Sequence, residues 1–253
     1  MTTSAEAIQD SDQRPLWQLL FGIIDRPNAT FKSILARPQW TGWLAPLLFI
    51  IIAFAIFTAV QTPYSLELAR EQAERQLASL PAEQAEAARA GMEVTMSLPV
   101  MLATGIGFGS LALIIGLIAQ TAFLYFTALV AGGDDLEFGP LFIMSTWTRL
   151  PAAIGFLTQA GYIFMMQRMI DQPGLSFLVA TGDLLQDARN PLYLILGRLD
   201  IVWLWHLLLV VVGLSVAARM GRGKSLLLTL LYAALTLGLT VLPSLIFGGA
   251  FGG

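Results

Sequence analysis

From residue 41 to residue 61 the chain reads TGWLAPLLFIIIAFAIFTAVQ, without one charged side chain, and four later stretches are long and apolar with few charges. The five are residues 41–61, 99–131, 141–169, 199–218 and 225–247. Crossing the roughly 30 Å of bilayer hydrocarbon takes about 20 apolar residues in a helix. Inside lipid, a lone extended segment leaves its backbone donors and acceptors unpaired, so each stretch has to be helical. The expected fold class is therefore all-α: a polytopic integral membrane protein, a bundle of five transmembrane helices. The second and third stretches exceed what a bilayer needs, and so should tilt or extend beyond it. Composition agrees. Of 253 residues, 56% are hydrophobic and 12% charged, where a soluble domain carries about 25% charged.

Residues 1–14 read as a disordered tail, 15–247 as one membrane domain and 248–253 as a Gly-rich tail. No cleavable signal peptide is expected, because the first forty residues are polar to amphipathic. Ahead of the first span, RPLWQLLFGIIDRPNATFKSILARPQWTGW alternates apolar clusters with basic residues and prolines. Leu16, Leu19, Leu20 and Ile23 recur at helical spacing, as do Phe31, Ile34 and Leu35. This reads as an N-terminal interfacial amphipathic segment, with Trp40 and Trp43 at the aromatic boundary. The alternative is an amphipathic helix packed on the bundle.

Between the first two spans, residues 64–97 hold six glutamates and three arginines. Arg70–Glu74 and Glu71–Arg75 are four apart and share helix faces, and Pro81 should open a second helix. This extracytoplasmic helical insertion is either a solvated face or a docking surface. The next connection, AGGDDLEFGP, turns on two glycines and presents Asp134, Asp135 and Glu137 as candidate partner-docking residues. Three close carboxylates suit a hard cation, but their spacing matches no calcium loop, and no metal is expected.

Lys and Arg gather in cytoplasmic loops near span ends. Arg219, Arg222 and Lys224 crowd the short fourth loop, whereas the opposing basic residues lie in longer connections. The N-terminus is accordingly expected in the cytoplasm and the C-terminus outside. The net charge of −3 and the scattered basic residues exclude a nucleic-acid stripe. The lack of cysteine excludes disulfides and thiolate chemistry.

The segment AARMGRGKS fits the loose nucleotide-loop pattern through Gly223, Lys224 and Ser225. A working phosphate loop needs a buried strand before it and a helix after it. Here both flanks are membrane spans, so no nucleotide and no other cofactor is expected. Gly221 and Gly223 make the turn, while the basic residues anchor it at headgroups.

Ionisable residues inside spans are costly, which singles out Arg149, Asp200 and His206 as candidate functional intramembrane polar residues. Arg149 can neutralise an acid of the preceding turn, grip an anionic substrate, or snorkel to the interface. Asp200 and His206 are six apart, about 240° around a helix, and do not form a relay. His206 can serve proton coupling or sit hydrogen-bonded as a structural histidine. No catalytic triad or carboxylate pair is recognisable. Gly105 and Gly109 of GIGFG offer a close helix-packing face.

These landmarks have an order. Pro27 precedes Phe31 in RPNATFKSIL, PQWTGWLAPLL opens the first span, and Gly132, Gly133 and Phe138 precede a span holding Leu150-Pro151. The fourth span, LDIVWLWHLLLVVVGL, carries Asp200, Trp205 and Gly213, and a short loop ends in Lys224. In this the chain resembles the Yip domain family, the Ypt/Rab-interacting proteins, in its bacterial form. The resemblance implies five helices, a cytoplasmic N-terminus, no enzymatic activity and residence in a bacterial inner membrane. Eukaryotic relatives are associated with Rab GTPases, a partner system that a bacterial member would lack. The 64–97 insertion and the acidic turn depart from the family's short connections.

Two functions follow as expectations. The first is a non-enzymatic scaffold or accessory subunit assembling with other membrane proteins. The second is a transporter or permease-like subunit of an export system, moving a lipid or apolar solute. The absence of an internal repeat weakens a stand-alone transporter.

Overall fold

The computed structural model describes residues 15–36, 41–133 and 135–248. The expected tail at 1–14, Arg37, Trp40, Asp134 and the tail beyond Gly248 lie outside the described residues. Among the described residues regular structure is entirely helical: α1 Leu16–Asp25, α2 Pro27–Ala36, α3 Thr41–Leu77, α4 Ala82–Thr95, α5 Leu98–Val130 and α6 Phe138–Thr148. There follow α7 Leu150–Met166, a 3-10 turn Ser176–Leu178, α8 Leu184–Arg189, α9 Pro191–Arg198, α10 Ile201–Ala217 and α11 Arg222–Gly248.

Three helices in this set are long and apolar enough to cross a membrane: Gly42–Leu77, Leu98–Val130 and Arg222–Leu242. A fourth candidate is the pair α9–α10, bent by 65° at Leu199-Asp200. The stretch 141–169, expected as one span, is two helices meeting at Arg149. Pro151 is the reason, since it has no N–H for the carbonyl of Trp147. The chain tightens instead, and the Arg149 N–H bonds the Thr146 carbonyl at 3.1 Å.

The first helix also differs from expectation. It does not end near residue 61 but continues through Pro63 to Leu77. Pro63 removes one helical N–H, which interrupts the ladder without breaking the helix here. The chain then folds back as α4, making a hairpin with its own buried seam of Leu66, Ala73, Leu77 and Ala85. Arg70 closes the base by donating to the Met96 carbonyl at 3.0 Å, and Glu71 pairs with Arg75 at 2.7 Å.

Helix α3 lies beside α6 and α7, tied at its start and again at Tyr64. Trp147 Nε1 donates to the Gly42 carbonyl at 2.6 Å, and the Tyr64 hydroxyl donates to Gln167 Oε1 at 2.7 Å. Between those ties α3 advances 22 residues and α6–α7 advance 20, each about 30 Å at helical rise. On its other flank α3 receives α5 through the glycine face. A Cβ at Gly105 would lie 3.2 Å from Thr58, and one at Gly109 would strike the ring of Phe54.

The main core gathers Phe31 of α2, Leu124 of α5, Met144 and Trp147 of α6, and Leu209 and Leu214 of α10, all nearly inaccessible. Gly213 permits this close approach, because a Cβ there would meet Met144 at 2.7 Å and Phe31 at 3.2 Å. Helix α1 packs on the bundle, the second of the two sequence alternatives, and keeps an apolar face outward. Ile23, Leu19 and Leu20 pack on the core, while Trp17, Phe21 and Ile24 point outward with more than half their surface exposed.

Two contacts hold the α5–α6 turn against the α10–α11 turn. Lys224 Nζ donates to the Ala131 carbonyl at 2.9 Å, and Arg219 pairs with Asp135 at 2.9 Å. The first satisfies a carbonyl that the C-terminus of α5 leaves unpaired and sets a cation at that negative helix end.

Candidate functional site

At the α6–α7 joint, four elements bring polar side chains into the interior. Arg149 stands at the joint because Pro151 ends the helix there. Its Nε donates to Gln120 Oε1 of α5 at 2.6 Å, and its Nη2 donates to the Tyr232 hydroxyl of α11 at 2.9 Å. Tyr232 donates in turn to Gln120 Oε1 at 3.1 Å, and Gln120 Nε2 donates to the Thr148 hydroxyl at 3.2 Å. His206 of α10 reaches the same joint, its Nδ1 lying 2.6 Å from the Thr148 carbonyl. A carbonyl only accepts, so Nδ1 carries the proton and Nε2 is a bare acceptor. That Nε2 is buried and meets no hydrogen-bond partner.

Beside the network lies a cavity of about 290 Å³. Arg149, Arg198, His206 and Tyr232 line it, together with Trp203 at the start of α10. The α11 wall adds Thr236, Leu239 and Thr240. Among the described residues no carboxylate lies within ion-pair distance of Arg149 or Arg198. Two guanidiniums and several hydroxyls thus line a hollow of small-ligand size.

The other expected residues fall elsewhere. Asp200 caps α10, accepting from the Trp203 N–H at 2.7 Å, and is not joined to His206. Asp135 is paired with Arg219, Glu137 is exposed ahead of α6, and Asp134 lies outside the described residues. No group of three metal-ligating side chains occurs among the described residues. Gly223, Lys224 and Ser225 belong to the first turn of α11, which follows a helix and not a strand. Lys224 caps α5, and the Ser225 hydroxyl bonds the Gly221 carbonyl at 3.3 Å.

Sequence reasoning missed Gln120, Tyr232 and Arg198. Gln120 carried a signal, as the one amide in an otherwise apolar run from 99 to 131. Arg198 was read as a loop charge.

Outside the membrane candidates, the loop after α7 has its own anchor. Asp187 is buried and accepts from the Thr181 N–H at 2.8 Å and the Thr181 hydroxyl at 2.9 Å. The backbone bond from Thr181 is the largest influence holding its carboxyl below the ordinary carboxylate range, against the opposing effect of burial.

Helices this long and apolar, enclosing a hydrogen-bonded polar cluster, define an integral membrane protein. The family model of the Yip1 domain matches residues 21–245, and the chain belongs to the Yip1 domain family. No curated protein and no solved structure matches the chain.

Proposed function

We propose that this protein is a non-enzymatic membrane scaffold or accessory subunit, held in a bacterial cytoplasmic membrane by five spans. The observation that carries the assembly reading is the α3–α4 hairpin. From residue 64 to residue 95 it has a private apolar seam, and none of these residues belongs to the main core. Its exposed face carries Glu67, Glu71, Glu74, Arg75 and Glu86. A folded projection that the core does not use is suited to a partner, as is the acidic side of the α5–α6 turn. The partners in this reading are other membrane proteins, with export-complex subunits among them.

The fifth span in this arrangement is the stretch that holds α6 and α7, and what supports it is α7, whose flanking residues Trp147 and Gln167 are tied to α3 at points some 30 Å apart. The N-terminus then lies in the cytoplasm with the two strapped turns, and the C-terminus outside. A non-enzymatic role is supported by the way Arg149, Gln120, Tyr232 and Thr148 spend hydrogen bonds on one another.

The test is co-purification in gentle detergent. Replacing residues 66–96 with a flexible linker of similar reach should leave an inserted protein that loses its stoichiometric partner. The cavity beside Arg149 favours a second reading, an export-system subunit that moves a lipid or apolar solute. If wild type recovers no partner, while reconstituted protein moves a solute and Arg149→Gln stops it, the second reading replaces the first.

A further inference from the structure

We propose that the hollow between α10 and α11 is an oxyanion site that recognises a phosphate group by its charge alone. Arg149 faces it from the helix joint and Arg198 from the end of α9. Among the described residues no carboxylate lines the hollow, and none lies within ion-pair distance of either guanidinium. Asp200, two residues beyond Arg198, accepts from the Trp203 N–H instead. Two cations left without a counter-charge on an apolar bundle are costly, and an oxyanion between them offsets that cost.

The groups open to the hollow are donors. Arg149 gives its Nε hydrogen to Gln120 and bonds Tyr232 through Nη2, while its Nη1 has no hydrogen-bond partner among the described residues. That Nη1 is not one of the enclosed polar atoms, so a ligand can reach it. The Arg198 side chain is exposed and makes no hydrogen bond among the described residues. The hydroxyls of Thr236 and Thr240 each donate to a carbonyl of their own helix at 2.9 Å, and Tyr232 donates to Gln120. His206 Nε2 is enclosed and takes no part. A ligand here is therefore held as an acceptor by guanidinium N–H groups. The planar fork of a guanidinium fits the oxygens of phosphate, and a tetrahedral group can be shared by two forks.

The volume of about 290 Å³ admits a headgroup phosphate and excludes a whole lipid. Leu239 on the α11 wall is 56% exposed, on a helix apolar enough to cross a membrane. Acyl chains can thus stay in the bilayer while the headgroup enters. A small soluble phosphate has the same chemistry. The inference goes beyond the assembly reading and does not depend on it.

Thermal unfolding of the full chain, purified and delipidated in detergent, tests the site with phosphatidylglycerol, phosphatidylcholine and inorganic phosphate. Phosphatidylglycerol should raise the unfolding midpoint saturably. Phosphatidylcholine carries its phosphate with a cation that a doubly cationic hollow disfavours, and should give no saturable shift. If inorganic phosphate matches the anionic lipid or acts alone, the ligand is a soluble anion; if it is inert, the ligand is a lipid headgroup. Arg198→Gln should leave the unliganded midpoint at the wild-type value, because its side chain bonds nothing within the described chain. The half-saturating concentration of the phosphate that binds should rise about tenfold or more, the loss expected of one charge-assisted hydrogen bond. Arg222→Gln, at the first residue of α11 and outside the hollow, should keep the wild-type affinity. The proposal is overturned by no saturable shift with either anion, or by an equal shift with phosphatidylcholine. Unchanged affinity in Arg198→Gln, or an equal loss in Arg222→Gln, overturns it as well.

Discussion

Gln120 receives or gives three of the hydrogen bonds at the joint, to Arg149, Tyr232 and Thr148. Gln120→Leu keeps the volume and strips those partners at once, leaving a cation and a hydroxyl short of acceptors in apolar surroundings. The loss should exceed the roughly 1–3 kcal/mol of a single unsatisfied buried group, read as a lower midpoint in detergent. Tyr232→Phe should cost less, because Gln120 still accepts from Arg149. The loop anchor gives a pH signature. The folded Asp187 carboxyl titrates below its unfolded value, so its contribution is present above about pH 4 and is lost as pH falls through the folded value. Asp187→Asn should therefore flatten the acid limb of a stability–pH curve for wild type; an unchanged limb would assign that loss to other groups. Arg149 and His206 were visible in the sequence because polarity in an apolar run is conspicuous. Tyr232 was not, since a tyrosine in a span is unremarkable until the face it shares with Arg149 is known.

Elements show the same division. Apolar length alone predicted the positions of α3, α5 and α11, and the glycine spacing at 105 and 109 correctly marked a close helix contact. Because that contact is on one face, its test has an internal control. Gly109→Leu drives a side chain into the Phe54 ring and should destabilise by about 1–3 kcal/mol. Gly107→Leu adds the same atoms where nothing lies within 4 Å and should be tolerated. What apolar length could not reveal were the breaks and continuations. Pro151 divides one expected span, whereas Pro63 leaves α3 continuous.

For the whole molecule, the family and the helical class were legible because both rest on the order of apolar segments. The convergence of α5, α10 and α11 on one joint was not, since it depends on which helices become neighbours. Sidedness is testable because the chain has no cysteine to interfere. Single cysteines at Ser4, Ser79, Gly221 and Gly253, exposed to an impermeant maleimide on cells with a permeabilised outer membrane, should react at the second and fourth sites alone. Reaction at Gly221 and not at Ser79 would invert the proposed orientation.

The joint also carries an implication for how the chain is made. A ribosome delivers Gln120 before Arg149, by 29 residues, but Tyr232 follows Arg149 by 83. Until those 83 residues are made, the nascent protein carries a half-partnered guanidinium, which α11 completes. Its arrival is the step at which the chain becomes self-sufficient in lipid. A product truncated before α11 lacks that closure, and membrane quality control has a charged, unfinished interior to recognise.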